Sequence, residues 1–234
     1  MTGDIVVYGP NAGGSDALLA FDASDPHANQ PIHLLGSPPE QAIGAVILLH
    51  GRGSSAPDIL NLGQAMYQPK LAYLAPSAAN NTWYPRTFLS PREENEPWLS
   101  SALKKVESTI KLANDAGIPT ERIMICGFSQ GACLTSEYAA THPARYAGLM
   151  VFTGGVIGPP DMELRYAGDL LGTPAFLGSG DRDPHIPWLR VQQTADVLSS
   201  MNAQVTLRCY PGRPHTVGGE EIQFGRKMIA ETFR

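Results

Sequence analysis

The segment ICGFSQGACL, residues 125–134, sets Gly127 and Gly131 on either side of Ser129, directly after an apolar run and directly before a helix-like one. A serine in ordinary chain needs no such neighbours. A serine on a sharp strand-to-helix turn does, because the turn is strained and the backbones around it crowd together. The spacing G-x-S-x-G therefore asks for a buried strand, an abrupt turn and a helix that starts at once. Such a turn holds the serine hydroxyl up as a nucleophile, provided that the chain also supplies a base.

The rest of the sequence repeats that strand-then-helix rhythm. Apolar, β-rich runs occur at AVILLH (45–50), LAYLAP (71–76), RIMICGF (122–128), GLMVFTG (148–154), PAFLGSG (174–180) and VTLRCY (205–210). Several are apolar at consecutive positions, which suits parallel strands covered on both faces. Leu99, Leu103, Val106, Ile110 and Ala113 follow the spacing of one helix face. Trp188, Val191, Ala195 and Leu198 repeat it, as do Ile222, Gly225, Ile229 and Phe233. Strands alternating with helices predict one α/β domain over residues 1–234, with a mostly parallel central sheet and helices on both faces. The first 40 residues, rich in Gly, Pro, Ala and Asp, hold the short strand candidates DIVVYG and PIHLLG and are expected to form an edge. Residues 77–97 are expected to form a long, lid-like loop.

Composition narrows the function. An apolar fraction of 43% is ample for a core, and a net charge of −5 argues against nucleic-acid or anionic-membrane partners. No run approaches the ~18 apolar residues of a membrane span, so no membrane insertion is expected. The start MTGDIVVYGPNAGG has neither a basic region nor a long apolar stretch, so a secretory signal is not expected. Cys126, Cys133 and Cys209 cannot all pair within one chain, and their spacings match no zinc or redox motif. They read as reduced and mostly buried, in a cytoplasmic protein.

A second glycine-rich turn, LLHGRGSSAPDIL, follows the strand at 45–50. Gly51, Gly53 and Ala56 fit a dinucleotide-binding turn, but that reading needs an acidic residue at the end of the next strand, and LAYLAPS has none. The better reading is an oxyanion hole, built from two backbone N–H groups aimed at a tetrahedral intermediate. The Arg52 amide lies in the glycine-flanked turn. The Gln130 amide follows the serine at a helix N-terminus.

Ser129 needs a base, usually a histidine oriented by a carboxylate. On this architecture the chain order is serine, acid, histidine, each beyond a strand's C-terminal end. His27, His33 and His50 precede Ser129; His50 is expected to brace the oxyanion turn. His142 sits at a helix end. His215, in YPGRPHTVGGEE between the last strand and the last helix, is the expected base. Its carboxylate comes from GSGDRDPHIP, where Asp181 and Asp183 are both available. The D-R-D spacing lacks the pattern of a calcium loop, no H-E-x-x-H occurs, and neither a metal nor an organic cofactor is expected. Trp83, Tyr84, Phe88 and Ile157 are expected to wall the substrate pocket. The plainer alternative for the aromatics is that they pack the loop onto the core.

With these residues in place, the sequence resembles the phospholipase/carboxylesterase family of α/β hydrolases, which includes bacterial carboxylesterases and acyl-protein thioesterases. The resemblance runs from about residue 42 to the C-terminus on LLHGRG, GFSQGA, GDRDPHIP and GRPHTV, in that order. It implies a cofactor-free serine hydrolase with Ser129 as nucleophile, Asp183 as acid, His215 as base and the Arg52 and Gln130 amides as oxyanion donors. Pro184 points to the same acid, because it restricts Asp183 to an extended conformation. Arg52 stands where an apolar residue is often found, and the loop around NNTWYPRTFLSP departs from the thioesterase lid pattern. The function expected is hydrolysis of small carboxylic esters through an acyl-enzyme. Thioester or lysophospholipid hydrolysis would use the same site, and a non-catalytic binding module on this fold is the alternative from another class.

Overall fold

A computed structural model describes residues 6–8 and 22–234. Eight strands form one sheet: β1 Val6–Tyr8, β2 Ile32–Gly36, β3 Gly44–Leu49, β4 Leu71–Pro76, β5 Ile123–Phe128, β6 Gly148–Phe152, β7 Pro174–Gly180 and β8 Gln204–Tyr210. Five helices connect or follow them: α1 Ala56–Ala65, α2 Trp98–Asp115, α3 Gln130–Thr141, α4 Trp188–Ser200 and α5 Gly219–Thr232. The spatial order is β1-β2-β4-β3-β5-β6-β7-β8. From β4 to β8 all pairings are parallel, whereas β1 and β2 join antiparallel at one edge. Both short N-terminal strand candidates therefore occur at the expected edge. Residues 1–5 and 9–21 of that segment lie outside the described residues.

Strands β3, β4 and β6 are buried at every position, as a sheet covered on both faces requires. Alternate residues feed two cores. Ile47, Leu49, Ile125, Val151 and Leu177 pack with residues of α2, α3 and α4, including Val106, Leu134 and Leu198. Val46, Leu48, Cys126, Met150 and Phe176 face the other way, onto Ile59 and Leu60 of α1 and Ile229 of α5. Strand β8 differs from its reading as an apolar run. Among the described residues it has a neighbour on one side only, so just Val205 and Leu207 lean on the core while its other residues are partly or fully exposed.

The chain leaves β3 toward β4 on one side and reaches β5 on the other. The crevice beyond the C-terminal ends of β3 and β5 is a topological switch point, the usual ligand site of such sheets. Here the two glycines of G-x-S-x-G have a steric reason. A Cβ on Gly131 would lie 2.0 Å from the Leu49 carbonyl oxygen, and one on Gly127 would lie 2.2 Å from the Gly131 carbonyl oxygen. The first turn of α3 thus crosses the end of β3 in backbone contact. The lid-like loop expected over 77–97 is a pinned strap. It contains short 3₁₀ turns at Ala79–Asn81 and Arg92–Asn95, and Ala78, Ala79, Trp83, Tyr84, Phe88 and Asn95 are buried.

Since no side chain fits at the crossing, Gly131→Ala is expected to destabilise the protein by at least the ~1–3 kcal/mol of ordinary overpacking. Urea denaturation measures this. A variant as stable as the parent would contradict the close approach.

Candidate active site

Ser129 follows β5 with φ 56° and ψ −119°, a backbone conformation that non-glycine residues seldom adopt. Two hydrogen bonds hold it there. Its N–H donates to the Phe152 carbonyl at 3.0 Å, and its carbonyl accepts from the Cys133 N–H at 2.9 Å. The hydroxyl is thereby fixed above the sheet, where the loops after β7 and β8 converge on it.

His215 lies on the loop after β8. Its Nε2 is 2.7 Å from Ser129 Oγ, and its Nδ1 is 2.7 Å from Asp183 Oδ2. The Asp183 side chain is fully buried, and its Oδ1 accepts from the His185 and Ile186 N–H groups at 2.8 and 3.0 Å. A carboxylate only accepts, so Nδ1 of the neutral ring carries the proton and Nε2 is left as the acceptor for the serine proton. Asp181 does something else. Its Oδ1 accepts from the Gly212 N–H at 2.6 Å, which ties the loop after β7 to the loop carrying His215. Arg213 steadies that loop from beside it, donating twice to the buried Glu221 carboxylate, at 2.5 and 2.9 Å.

The two amides proposed as oxyanion donors come from the other side. Gln130 is the first residue of α3, so its N–H has no intrahelical acceptor. Arg52 lies in the turn after β3, shaped by the bond from the Gly53 N–H to the Asn81 carbonyl at 2.7 Å. His50 braces this turn from beneath. Its Nδ1 lies 2.8 Å from the Gly51 carbonyl, and its Nε2 accepts from the Ala78 N–H at 3.1 Å. The Gln130 side chain joins α3 to the strap: Oε1 accepts from the Trp83 N–H at 2.9 Å and Nε2 donates to the Tyr84 carbonyl at 2.8 Å.

These groups surround a cleft of about 410 Å³ that contains Ser129, Gln130 and His215 and is walled by Tyr84 and Phe88. Two of the expected wall residues are elsewhere. Trp83 is fully buried behind the cleft, its indole N–H donating to the His50 carbonyl at 2.9 Å, with the His27 and His50 rings at 5.5 and 5.0 Å. Ile157 is buried as well, its N–H donating to Glu137 Oε2 at 2.8 Å. Their own backbone and ring partners hold both away from the cleft.

Other wall residues escaped the sequence reading. Cys133 lies four residues after Ser129, one helical turn on, and lines the floor. Burial pushes its thiol up to about 12, so it stays protonated. His185 stands edge-on to His215 at 4.9 Å, and Ile186 lies beside it. Glu137 of α3, fully buried, accepts from Arg92, from the Tyr166 hydroxyl at 2.9 Å and from Ile157, and so ties the strap and the loop after β6 to the helix that follows Ser129.

Among the described residues, no group of three or more His, Cys, Asp or Glu is disposed to hold a metal ion. The arrangement sets the Ser129 hydroxyl against an imidazole ring, and that ring against a carboxylate. The family model described as phospholipase/carboxylesterase matches residues 32–233. The chain belongs to the phospholipase/carboxylesterase family. A crystal structure of a family member from Dyadobacter fermentans is 44% identical, covers 86% of this chain and 97% of its own, and superposes with a TM-score of 0.82. A probable carboxylesterase, SOBER1-like, from Arabidopsis thaliana is 28% identical over 76% of this chain and 75% of its own. Acyl-protein thioesterase 1 from Cryptococcus neoformans is 25% identical over 86% of this chain and 98% of its own. The fold of the chain is accordingly that of the α/β hydrolases.

In this phospholipase/carboxylesterase family member, the strap is anchored by a titratable ring from outside its own 77–97 segment. His27 is fully buried; its Nε2 lies 2.9 Å from the Trp83 carbonyl and its Nδ1 accepts from the Ala79 N–H at 3.0 Å. Protonation would turn that acceptor into a second donor. Burial, the largest effect on this ring, pulls its pKa from 6.5 down to about 4. Above pH 6.5 the ring is neutral whether the chain is folded or not. Below it the unfolded chain takes up a proton that the folded one refuses, so stability falls as pH drops from 6.5 toward 4, by roughly 3 kcal/mol in all. Urea titrations across this range are expected to show the slope in the parent and a shallower one in His27→Gln. Identical slopes would contradict the assignment.

Proposed function

We propose that this hydrolase of carboxylic esters works through Ser129, His215 and Asp183, with the Arg52 and Gln130 N–H groups as its oxyanion hole. The observation that carries the reading is the position of His215 midway in an unbroken chain of hydrogen bonds, 2.7 Å from Ser129 Oγ on one side and 2.7 Å from Asp183 Oδ2 on the other.

His215 Nε2 takes the Ser129 proton as Oγ adds to the ester carbonyl, and the carbonyl oxygen becomes an anion facing the two amides. Asp183 keeps the ring in the tautomer that accepts at Nε2 and stabilises the imidazolium that forms. The alkoxide leaves with the proton from Nε2. Water then repeats the sequence on the acyl-enzyme and frees the acid. A thioester would follow the same route with a thiolate as leaving group. The substrate is a small molecule whose acyl carbon reaches Ser129 in the cleft. No described helix is long and apolar enough to cross a membrane, and the unpaired cysteines Cys126, Cys133 and Cys209 support a cytoplasmic site of action.

Three variants test the roles on one activated ester. Ser129→Ala is expected to lose ~10⁴–10⁶ in kcat while staying folded. Asp183→Asn is expected to lose roughly 10⁴, because His215 would then hold its proton on the wrong nitrogen. Asp181→Asn keeps an oxygen that can accept from the Gly212 N–H and gives up only the charge on that bond, so it is expected to lose less than about tenfold. A folded Ser129→Ala protein with a tenth of the parent's turnover would refute the nucleophile. Exchange of the two aspartate phenotypes would refute the choice of acid.

A further inference from the structure

The rim of the cleft carries charge that the proposed chemistry does not use. Arg52 and Arg86 both line it, and both are exposed. No lining residue is an aspartate or glutamate, and neither arginine forms an ion pair among the described residues. Asp183 is buried beneath His215 with its oxygens occupied. The chain as a whole has a net charge of −5, so this positive rim is a local arrangement against the overall charge.

The two guanidiniums are mounted differently. Arg52 donates from Nη1 to the Pro85 carbonyl at 2.9 Å and from Nη2 to the Arg86 carbonyl, and its guanidinium carbon lies 5.9 Å from the centre of the Tyr84 ring. These bonds fix its place while leaving its charge without a counter-ion. The Arg86 backbone is held by its N–H bond to Oδ1 of the buried Asn95 at 2.8 Å, and Asn95 also donates to the Thr87 carbonyl at 3.2 Å. The Arg86 head has no hydrogen-bond partner among the described residues. The Arg86 guanidinium is free to meet an anion from a pinned backbone, and a second positive charge lines the same cleft. In a cleft with low-dielectric walls, such charges attract anionic ligands more strongly than they would on open surface. The planar fork of a guanidinium matches a carboxylate with two parallel hydrogen bonds.

We propose that Arg52 and Arg86 form an anion subsite, and that the preferred substrates are carboxylic esters carrying a second, ionised carboxylate. The proposal rests on the esterase reading of the same cleft: Ser129 attacks the ester carbonyl while the rim holds the carboxylate. Arg86 makes the direct contact, and Arg52 contributes charge and keeps the strap in place.

Two matched pairs of esters test it at low salt. The para-nitrophenyl hemiester of glutaric acid against para-nitrophenyl valerate puts the charge on the acyl side. The para-acetoxybenzoate anion against its methyl ester puts it on the alcohol side. With each rate corrected for its reaction with hydroxide, kcat/KM for the anionic member of at least one pair is expected to exceed that of its neutral partner by about tenfold, in line with one charge-assisted hydrogen bond. The pair that shows the preference tells which side of the substrate meets the rim. Arg86→Gln is expected to lower the ratio by about tenfold, Arg86→Lys to keep part of it, and about 0.5 M NaCl to erode it. A ratio of one or less in both pairs, or one untouched by Arg86→Gln, overturns the subsite, while turnover of the neutral esters leaves the esterase reading standing. If no ester is hydrolysed, the esterase reading fails, and calorimetry on the Ser129→Ala protein decides the subsite. Tighter binding of an anionic ester than of its neutral partner supports it; equal or weaker binding of both anionic esters overturns it.

Discussion

The active cleft depends on the contact between the start of α3 and the end of β3. With Gly131 set against the Leu49 carbonyl, no side chain separates the two backbones. The contact has three consequences. It forces the chain through the left-handed conformation at Ser129, which lifts the hydroxyl clear of the sheet. It brings the Gln130 N–H beside the glycine turn that carries Arg52. It also opens α3 at the switch point of the sheet, where the loops after β7 and β8 can reach the serine. The strain at Ser129, of the order of 1–3 kcal/mol, is offset by the cores above and below the sheet.

Around that crossing, buried polar groups replace an apolar lining. The strap from 77 to 97 is held by the His27 and His50 rings, by the Gln130 amide, by Asn95 and by the Arg92–Glu137 pair. Each of these groups costs free energy to bury and regains it only through its partners. A strap held in this way cannot slide without leaving several of them unsatisfied. The cleft wall is consequently built of fixed backbone, with Tyr84 and Phe88 facing inward and the arginines at the rim.

The sequence made much of this legible, for reasons that differ from residue to residue. Continuous apolar runs identified the parallel strands because a sheet covered on both faces needs them. The turn at Ser129 was legible because only glycine fits the crossing, and chain order singled out His215. The two aspartates could not be told apart by spacing, since residues two apart on an extended segment point the same way. Their separate partners, His215 for Asp183 and the Gly212 N–H for Asp181, belong to loops distant in sequence. Trp83 and Ile157 looked like pocket walls because an aromatic or aliphatic residue near a strand end carries no mark of which way it faces. Their burial is set by His50 and Glu137. The exposure of β8 was equally hidden, because an edge strand is defined by the absence of a neighbour.

The central claim is that the strained turn makes Ser129 a nucleophile and that His215 activates it. Reaction with a fluorophosphonate, followed by peptide mass mapping, tests both parts at once. The expected result is a single adduct on the peptide containing Ser129 in the parent protein, with labelling lost in a folded His215→Ala variant. An adduct on another residue, or labelling of Ser129 at the parent rate without His215, would contradict it.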